Sequence, residues 1–196
     1  PLHGLPISIK DLEMTKGIRT TGGSLVFNDR VPDENSLVAE RVKTAGAIVL
    51  GKTNTPEFGL LGHTENRLGD HCRNPWNTER TSGGSSGGAG AAVAAGLCSL
   101  TTGSDGGGSI RIPASFCGVY GIKPTLGRVP RYSRAGAPPI VNHFSQSGPL
   151  SRTVRDSALL LQVFAGYDPR DPGSLRDEPA DYLAAADGDI KGIRVG

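Results

Sequence analysis

The sequence predicts an α/β fold from the order of elements in its first fifty residues. Residues 5–11 alternate weakly between apolar and polar side chains, which is typical of a strand. Residues 33–46 place four apolar side chains on one helical face. Residues 47–50 are a short apolar run, the pattern of a strand that is buried on both sides. A strand, a helix and a second strand in this order indicate an α/β sheet.

Two helices carry clear signals at their ends. The first of them has Asp33 as its predicted N-cap and Gly46 as its predicted stop. The second, at residues 154–165, has Thr153 and Asp156 in the spacing of a capping box and a stripe of large apolar side chains. These signals predict where both helices begin.

The middle of the chain adds one more helix and one more strand. The alanine-rich residues 87–98 predict a helix that packs closely against its neighbours, and residues 99–104 resemble a strand. A last strand is predicted to open at residues 193–195. Three segments are predicted to be connections, the second of them a proline-rich loop over the site: residues 59–86, 124–149 and 166–189.

Length and composition predict one globular domain over residues 1–196. The formal net charge is +2, which is too small to favour nucleic acid or an anionic membrane as a partner. No apolar run approaches the roughly 18 residues of a membrane helix. Glycine supplies 29 of the 196 residues, about twice its usual share, and clusters at 83–90 and 103–108. Such clusters predict loops of unusual shape.

The three cysteines are more consistent with free or buried thiols than with a disulfide framework. Their number is odd, and the chain has ordinary domain size. We therefore expect a reducing, cytoplasmic location. The residues in question are Cys72, Cys98 and Cys117.

Three polar residues lie in conspicuous local contexts. Lys10 ends the run SIK, Ser85 lies within GGSSGG, and Ser109 follows three glycines in DGGGSIR; positions 10, 85 and 109 are separated by 75 and 24 residues. These contexts and separations resemble those of the amidase signature family. Further similar segments run nearly end to end: PLHGLP at 1–6, GKTNTPEF at 51–58, RNPW at 73–76, FCGVYGIKPT at 116–125 and GPLSRTVRD at 148–156.

The resemblance implies a mixed, twisted β-sheet with α-helices on both faces, of which this chain is a central part, incomplete at both ends. It implies that Lys10 is the catalytic lysine, Ser85 the bridging serine and Ser109 the nucleophile. It also implies a cis peptide bond before Ser85. The expected activity is hydrolysis of a small-molecule amide without a metal or organic cofactor. A homodimer is left open.

The residue chemistry agrees with this assignment. A serine hydroxyl needs a base within hydrogen-bond reach, and none of the four histidines lies in the three motifs. A lysine can be that base if burial lowers its pKa from about 10.4 by roughly 3 units. Asp11 follows Lys10 on the predicted strand, so its side chain points to the opposite face. Consecutive N–H groups of Gly106, Gly107, Gly108 and Ser109 are predicted to form the oxyanion hole.

Two motifs favour other functions. Residues 46–53 fit the phosphate-loop pattern G-x-x-x-x-G-K-[ST], but the four intervening residues are predicted to be a strand. Residues 84–88 fit G-x-S-x-G with Ser86 as the nucleophile, but only His143 follows as a candidate triad base. We expect Arg111 to pair with Asp105.

Three smaller expectations complete the sequence-based picture. Cys117 is predicted to be a packed core thiol, and His143 to lie in a surface loop. The runner-up function is the amidase subunit of a tRNA-dependent amidotransferase, although residues 133–143 resemble stand-alone amidases more closely. A catalytically silent scaffold is the third alternative.

Overall fold

The computed structural model describes residues 1–69, 71–132 and 144–194. Its central sheet has five strands: β1 Pro6–Lys10, β2 Ile48–Thr53, β5 Leu100–Asp105, β6 Tyr120–Gly121 and β7 Gln146–Ser151. Their order in the sheet is β2-β1-β5-β7-β6, and a separate hairpin pairs β3 Arg73–Asn74 with β4 Asn77–Thr81. Strand β1 is parallel to β2 and to β5, whereas β7 is antiparallel to β5 and to β6, so the sheet is mixed, as predicted.

Helices pack on both faces of this sheet, which confirms the predicted α/β class. One apolar core joins Ile7 and Leu100 of the sheet to two helices. The other joins Leu150 and Ile110 to another two. The helices of the first core are α1 Leu37–Thr44 and α4 Val154–Phe164, and those of the second are α2 Gly87–Ala94 and α3 Arg111–Cys117; α5 Tyr182–Ala186 packs on α4. Within the described ranges, no helix is long and apolar enough to cross a membrane.

Strand β1 separates apolar from polar side chains because successive residues of a strand point to opposite faces. Ile7 is fully buried in the core with α1 and α4. Ser8 and Lys10 lie on the other side, and the Lys10 side chain contacts Ser86 at the start of α2. The local alternation of this strand therefore directs Lys10 toward the glycine-rich segment.

The ends of two elements differ from the predictions. Helix α1 begins at Leu37 with Ser36 as its N-cap, because Ser36 Oγ accepts from Ala39 N at 3.4 Å; the prediction of Asp33 is wrong. Strand β2 lies at the sheet edge, and Ile48 and Leu50 are 55% and 56% exposed. The prediction that both its sides are buried is therefore wrong. An apolar run indicates a strand, but it does not indicate which elements cover the two faces of that strand.

Three segments predicted to be connections contain regular structure. Strand β7 begins inside the predicted loop 124–149 and takes up its last four residues, including Pro149, whose carbonyl oxygen accepts from Ile122 N at 3.2 Å. The hairpin β3–β4 lies within 59–86, and α5 lies within 166–189. Ile193 and Arg194 are not in a strand, and the last residue of that prediction lies outside the described residues.

Candidate active site

Lys10 is the centre of a buried polar cluster. Its side chain is fully buried, and its Nζ lies 2.7 Å from Ser85 Oγ, 2.8 Å from Ser86 Oγ and 3.1 Å from Ser104 Oγ. Two of these hydroxyls come from the loop before α2, and the third comes from the end of β5. The fold therefore brings Lys10 and Ser85 into direct contact, although they are 75 residues apart.

The surroundings of Lys10 favour the neutral amine. Burial lowers the pKa of Lys10 from 10.5 to about 7, because an ammonium group loses its hydration there. The negative charges of Glu13 and Asp105 act in the opposite direction, and the positive charge of Arg131 adds to the lowering of the pKa. Near neutral pH, an appreciable fraction of Lys10 is therefore free to accept a proton.

Asp11 interacts with a different lysine. Its Oδ1 lies 3.8 Å from Lys52 Nζ, and its Oδ2 accepts from Thr21 N at 3.0 Å. Lys52 also donates to the carbonyl oxygen of Glu13 and, at 2.9 Å, to Thr15 Oγ1. Lys52 belongs to the phosphate-loop pattern, but residues 48–53 of that pattern form β2 and open no helix. Residues 46–53 therefore do not have the strand–loop–helix geometry of a nucleotide-binding phosphate loop.

The loop that carries Ser85 depends on its glycines. The peptide bond between Gly84 and Ser85 is cis, as the resemblance implied. A Cβ atom on Gly84 would lie 2.6 Å from His63 N, so a side chain there would clash with backbone. Gly83 has a φ of +77°, which L-residues with side chains rarely adopt. The glycine cluster therefore allows the loop to approach the segment around His63.

Ser109 lies on the second glycine loop and is half-buried. Its carbonyl oxygen accepts from Ser86 N at 3.1 Å, which ties the two loops together. Within the described part of the chain, Ser109 Oγ makes no hydrogen bond. The structure thus joins Lys10 to Ser85 directly and joins Ser109 to the same loop through its backbone.

Asp105 organises the second loop. Its buried carboxylate accepts from Gly108 N at 2.8 Å, Ile110 N at 3.0 Å and the Arg111 side chain at 2.9 and 3.0 Å. Burial acts to raise the pKa of Asp105, but the Arg111 hydrogen bond and the backbone donors together outweigh it and lower the pKa to about 2. The predicted pairing of Arg111 with Asp105 is confirmed.

The same contacts narrow the set of predicted oxyanion donors. The N–H of Gly108 is already engaged by Asp105 Oδ1. The N–H groups of Gly106, Gly107 and Ser109 have no hydrogen-bond partner among residues 1–69, 71–132 and 144–194. Gly106 and Gly107 are exposed and Ser109 is half-buried, and their three N–H groups are the predicted donors that the described residues leave unbonded.

Sequence reasoning missed two of the three hydroxyls around Lys10. The G-x-S-x-G motif indicates Ser86 only as a nucleophile, but Ser86 is fully buried and its Oγ contacts Lys10, which conflicts with an exposed nucleophile-elbow serine. Ser104 was not singled out. A signal was present, because residues 101–105 are a polar run inside a predicted strand, and the structure buries all of them.

The remaining side-chain predictions concern thiols and histidines. Cys117 is fully buried, and burial raises the pKa of its thiol to about 11, as expected for an inert core cysteine. His143 lies outside the described residues. His63 and His71 contact Glu65, and the described ranges contain no cluster of His, Cys, Asp and Glu that could hold a metal ion.

Comparison with known proteins gives consistent matches. The family model described as Amidase matches residues 1–196. A glutamyl-tRNA(Gln) amidotransferase subunit of Carboxydothermus hydrogenoformans is 49% identical over 196 residues, which are all of this chain and 40% of that protein. The chain therefore spans about 40% of the length of this curated relative.

Two solved structures are also similar. The first comes from a vestigial protein complex described as revealing the evolutionary origins of an s-triazine catabolic enzyme. Its TM-score is 0.90 and its sequence is 41% identical, and the match covers 99% of this chain and 42% of that protein chain. A bacterial aryl acylamidase of the amidase signature enzymes has a TM-score of 0.84 and 40% identity, covering 93% of this chain and 38% of its own. Because the family model covers the whole chain, this chain belongs to the amidase signature family.

Proposed function

We propose that this chain carries the catalytic centre of an amidase that hydrolyses a carboxamide C–N bond through an acyl-enzyme on Ser109. The observation that carries the proposal is the contact of 2.7 Å between the buried Lys10 Nζ and Ser85 Oγ. A lysine with a pKa of about 7 beside a hydroxyl is a suitable general base near neutral pH.

In the first half-reaction, neutral Lys10 takes the proton of Ser85 while Ser85 takes the proton of Ser109. Ser109 Oγ forms a bond to the amide carbonyl carbon, and the carbonyl π electrons move to its oxygen. The N–H groups of Gly106, Gly107 and Ser109 donate to this oxyanion. The relay requires Ser85 and Ser109 to form a hydrogen bond in the substrate complex, where such contacts often tighten.

To complete the first half-reaction, the proton returns from Lys10 through Ser85 to the leaving nitrogen, and the electrons of the oxyanion re-form the carbonyl. The C–N bond then breaks, the amine leaves and the acyl group stays on Ser109. Water then attacks the ester carbonyl carbon while Lys10 again receives a proton through Ser85. The tetrahedral intermediate collapses, the bond from the acyl carbon to Ser109 Oγ breaks, and the proton returns through Ser85 to Ser109 as the carboxylic acid leaves. Side chains supply every proton transfer in this scheme, so it needs no metal or organic cofactor. We further propose that residues 1–196 form the central part of a single domain in a cytoplasmic enzyme.

The test uses a serine-directed fluorophosphonate on the full-length protein, followed by peptide mass mapping. We expect modification at Ser109, no modification in Ser109→Ala, and much slower modification in Lys10→Ala. Ser86→Ala is the matched variant for the competing nucleophile, and it is expected to retain a label on Ser109. Labelling at another serine, or an unchanged rate in Lys10→Ala, would contradict the assigned roles.

A second candidate function is favoured by the name of the curated relative, a glutamyl-tRNA(Gln) amidotransferase subunit that is 49% identical to this chain. In that role the same Ser109 chemistry would release ammonia from glutamine or asparagine for a partner protein. Co-purification with a partner, together with glutaminase activity that depends on it, would support this function over a stand-alone amidase.

A further inference from the structure

The three hydroxyls around Lys10 differ in their other hydrogen bonds. Ser86 Oγ donates to the Ser104 carbonyl oxygen at 3.3 Å and accepts from Ser104 N at 3.3 Å. Ser85 Oγ and Ser104 Oγ have Lys10 as their sole hydrogen-bond partner in the described part of the protein. The proton of Ser86 is therefore committed to a carbonyl, whereas the protons of Ser85 and Ser104 are free.

This difference limits how a neutral Lys10 can be oriented. A neutral amine has two N–H donors and one lone pair, and a serine hydroxyl has one proton to donate. Ser86 can only accept from Lys10, since its own proton is used. One N–H of Lys10 must therefore point at Ser86, which leaves one N–H and the lone pair for Ser85 and Ser104.

Ser86 is assigned by its other hydrogen bonds, because its contact of 2.8 Å with Lys10 Nζ suits either direction. The distances then favour one of the two arrangements that are left for Ser85 and Ser104. O–H···O bonds cluster at about 2.7–2.8 Å, whereas N–H···O bonds cluster at about 2.9–3.0 Å. The contact of Lys10 Nζ with Ser85 Oγ is 2.7 Å, and that with Ser104 Oγ is 3.1 Å. The shorter contact fits Ser85 donating to the lone pair, and the longer one fits Ser104 accepting an N–H.

From this geometry we infer that Ser104 and Ser86 are positioning residues, which accept the two N–H groups of Lys10 so that its lone pair points at Ser85. This inference rests on the proposed function. When the proton arrives, the ammonium group donates to all three hydroxyls. Only the Lys10–Ser85 bond has to reverse, so the cluster suits both charge states without rearrangement.

Other charged groups face the same lysine and define the background of the test. Glu13 follows β1 and Asp105 ends β5, and both favour the ammonium form, whereas Arg131 disfavours it. Residues 87–94 of α2 carry no ionisable side chain. Removing the Ser104 hydroxyl changes none of these charges and breaks no other described hydrogen bond. Ser104→Ala therefore tests the contact of Ser104 with Lys10 by itself.

The experiment measures the pH dependence of Ser109 modification by a fluorophosphonate in the full-length protein. In Ser104→Ala we expect the maximal rate to fall about tenfold, because a hydrogen bond to a charged group is lost. The acid limb of the profile is expected to move to lower pH by about one unit, because the ammonium form loses an acceptor. Ser8→Ala is the control, since Ser8 lies on β1 two residues from Lys10 but contacts Thr101 and Cys98.

The outcomes separate this inference from the proposed function. An unmoved acid limb in Ser104→Ala, or an equal shift in Ser8→Ala, would overturn the positioning role while labelling of Ser109 still supports the amidase. A Ser104→Ala rate as low as that of Ser85→Ala would also overturn it, because Ser104 would then be the relay. If Ser104→Ala does not fold, Ser104→Cys keeps a weak acceptor and is expected to show a smaller shift in the same direction.

Discussion

Lys10, which is fully buried, and Lys52, whose side chain is 9% exposed, lie on neighbouring strands with opposite surroundings. In the parallel pairing of β1 and β2, Ile9 lies opposite Lys52 and Lys10 lies opposite Thr53. Burial is the largest cause of the lowered pKa in both, to about 7 for Lys10 and about 8 for Lys52. Lys52 forms an ion pair with Asp11, whereas Lys10 has no ion pair among the described residues.

The hydrogen-bond acceptors sharpen this difference. Lys52 donates to Thr15 Oγ1 and Thr20 Oγ1, and each of these hydroxyls uses its own proton on a carbonyl oxygen. Its third contact is the Glu13 carbonyl. All three hydrogen-bond partners of Lys52 can only accept a hydrogen bond, so they require the three N–H donors of an ammonium group. Two of the hydroxyls around Lys10 can instead donate a hydrogen bond to a neutral amine. Burial alone does not make a base; neighbours that can return a proton are also needed.

The largest expected effect is on catalysis. Lys10→Met removes the proposed base, so the rate of Ser109 modification is expected to fall by about 10²–10⁴-fold. Lys52→Met is expected to keep the rate per folded molecule within about tenfold of wild type, since general-base catalysis uses a group that contacts the reacting proton. Fluorophosphonate kinetics, normalised to the folded fraction from circular dichroism, measure both. Equal losses in the two variants would remove the distinction between the lysines.

The next effect is on stability. Lys52→Met leaves the buried Asp11 carboxylate without its ion-pair partner, which by itself costs about 3–5 kcal/mol. The same change removes an ammonium group whose pKa burial lowers to about 8, which offsets about 3 kcal/mol of that cost. We therefore expect the free energy of unfolding to fall by up to about 2 kcal/mol. Urea denaturation at pH 7 measures this change. The double variant Asp11→Asn, Lys52→Met removes both charges and is expected to recover part of the loss. No recovery in the double variant would show that Lys52 acts through packing.

Lys10→Met is expected to change the free energy of unfolding in the opposite direction, toward higher stability. Because the pKa of Lys10 is lowered from 10.5 to about 7, the unfolded state binds more protons between these values, and the wild-type free energy of unfolding rises with pH there. Lys10→Met is therefore expected to stabilise the protein by about 2–4 kcal/mol at pH 7, with the gain shrinking as the pH approaches 10. Urea denaturation from pH 6 to 10 measures the trend, and a pH-independent difference would contradict it.

The smallest effect concerns the positive charge of Arg131. This charge lowers the pKa of Lys10. Arg131→Gln is expected to raise that pKa, so the acid limb of Ser109 modification moves to higher pH by about a few tenths of a unit, as for a screened pair. Arg152→Gln, at a position that is not among the causes of the Lys10 shift, is the control. A shift to lower pH in Arg131→Gln would contradict the electrostatic assignment.

Much of the fold could be predicted from local patterns. The Thr153 cap of α4 is confirmed, because Thr153 Oγ1 accepts from Asp156 N at 3.1 Å. Strand β1 and the alternation that sets Lys10 apart from Ile7 follow from adjacent residues alone. Strand β7 was missed because five prolines between residues 124 and 149 indicate a loop, and its pairing partners β5 and β6 are distant in sequence.

The candidate site, like the fold, could be predicted from the sequence only in part. Local motifs identified Lys10, Ser85 and Ser109 as residues of interest, because their glycine-rich contexts and their order in the chain resemble a family pattern. They did not identify Ser104, whose contact with Lys10 spans 94 residues, or the engagement of the Gly108 N–H by Asp105. No short-range pattern records which hydroxyl already donates its proton elsewhere.

The sequence by itself determined the α/β class, the family resemblance and the three polar residues at its centre, since each depends on adjacent residues or on their order. Only the tertiary structure decided that β2 is an exposed edge, that Lys52 is a paired cation and that Lys10 lies among three hydroxyls without an ion pair in the described part of the chain. The physical reason is that desolvation and hydrogen-bond partners are set by residues that are remote in sequence and meet only when the sheet and its flanking loops close together.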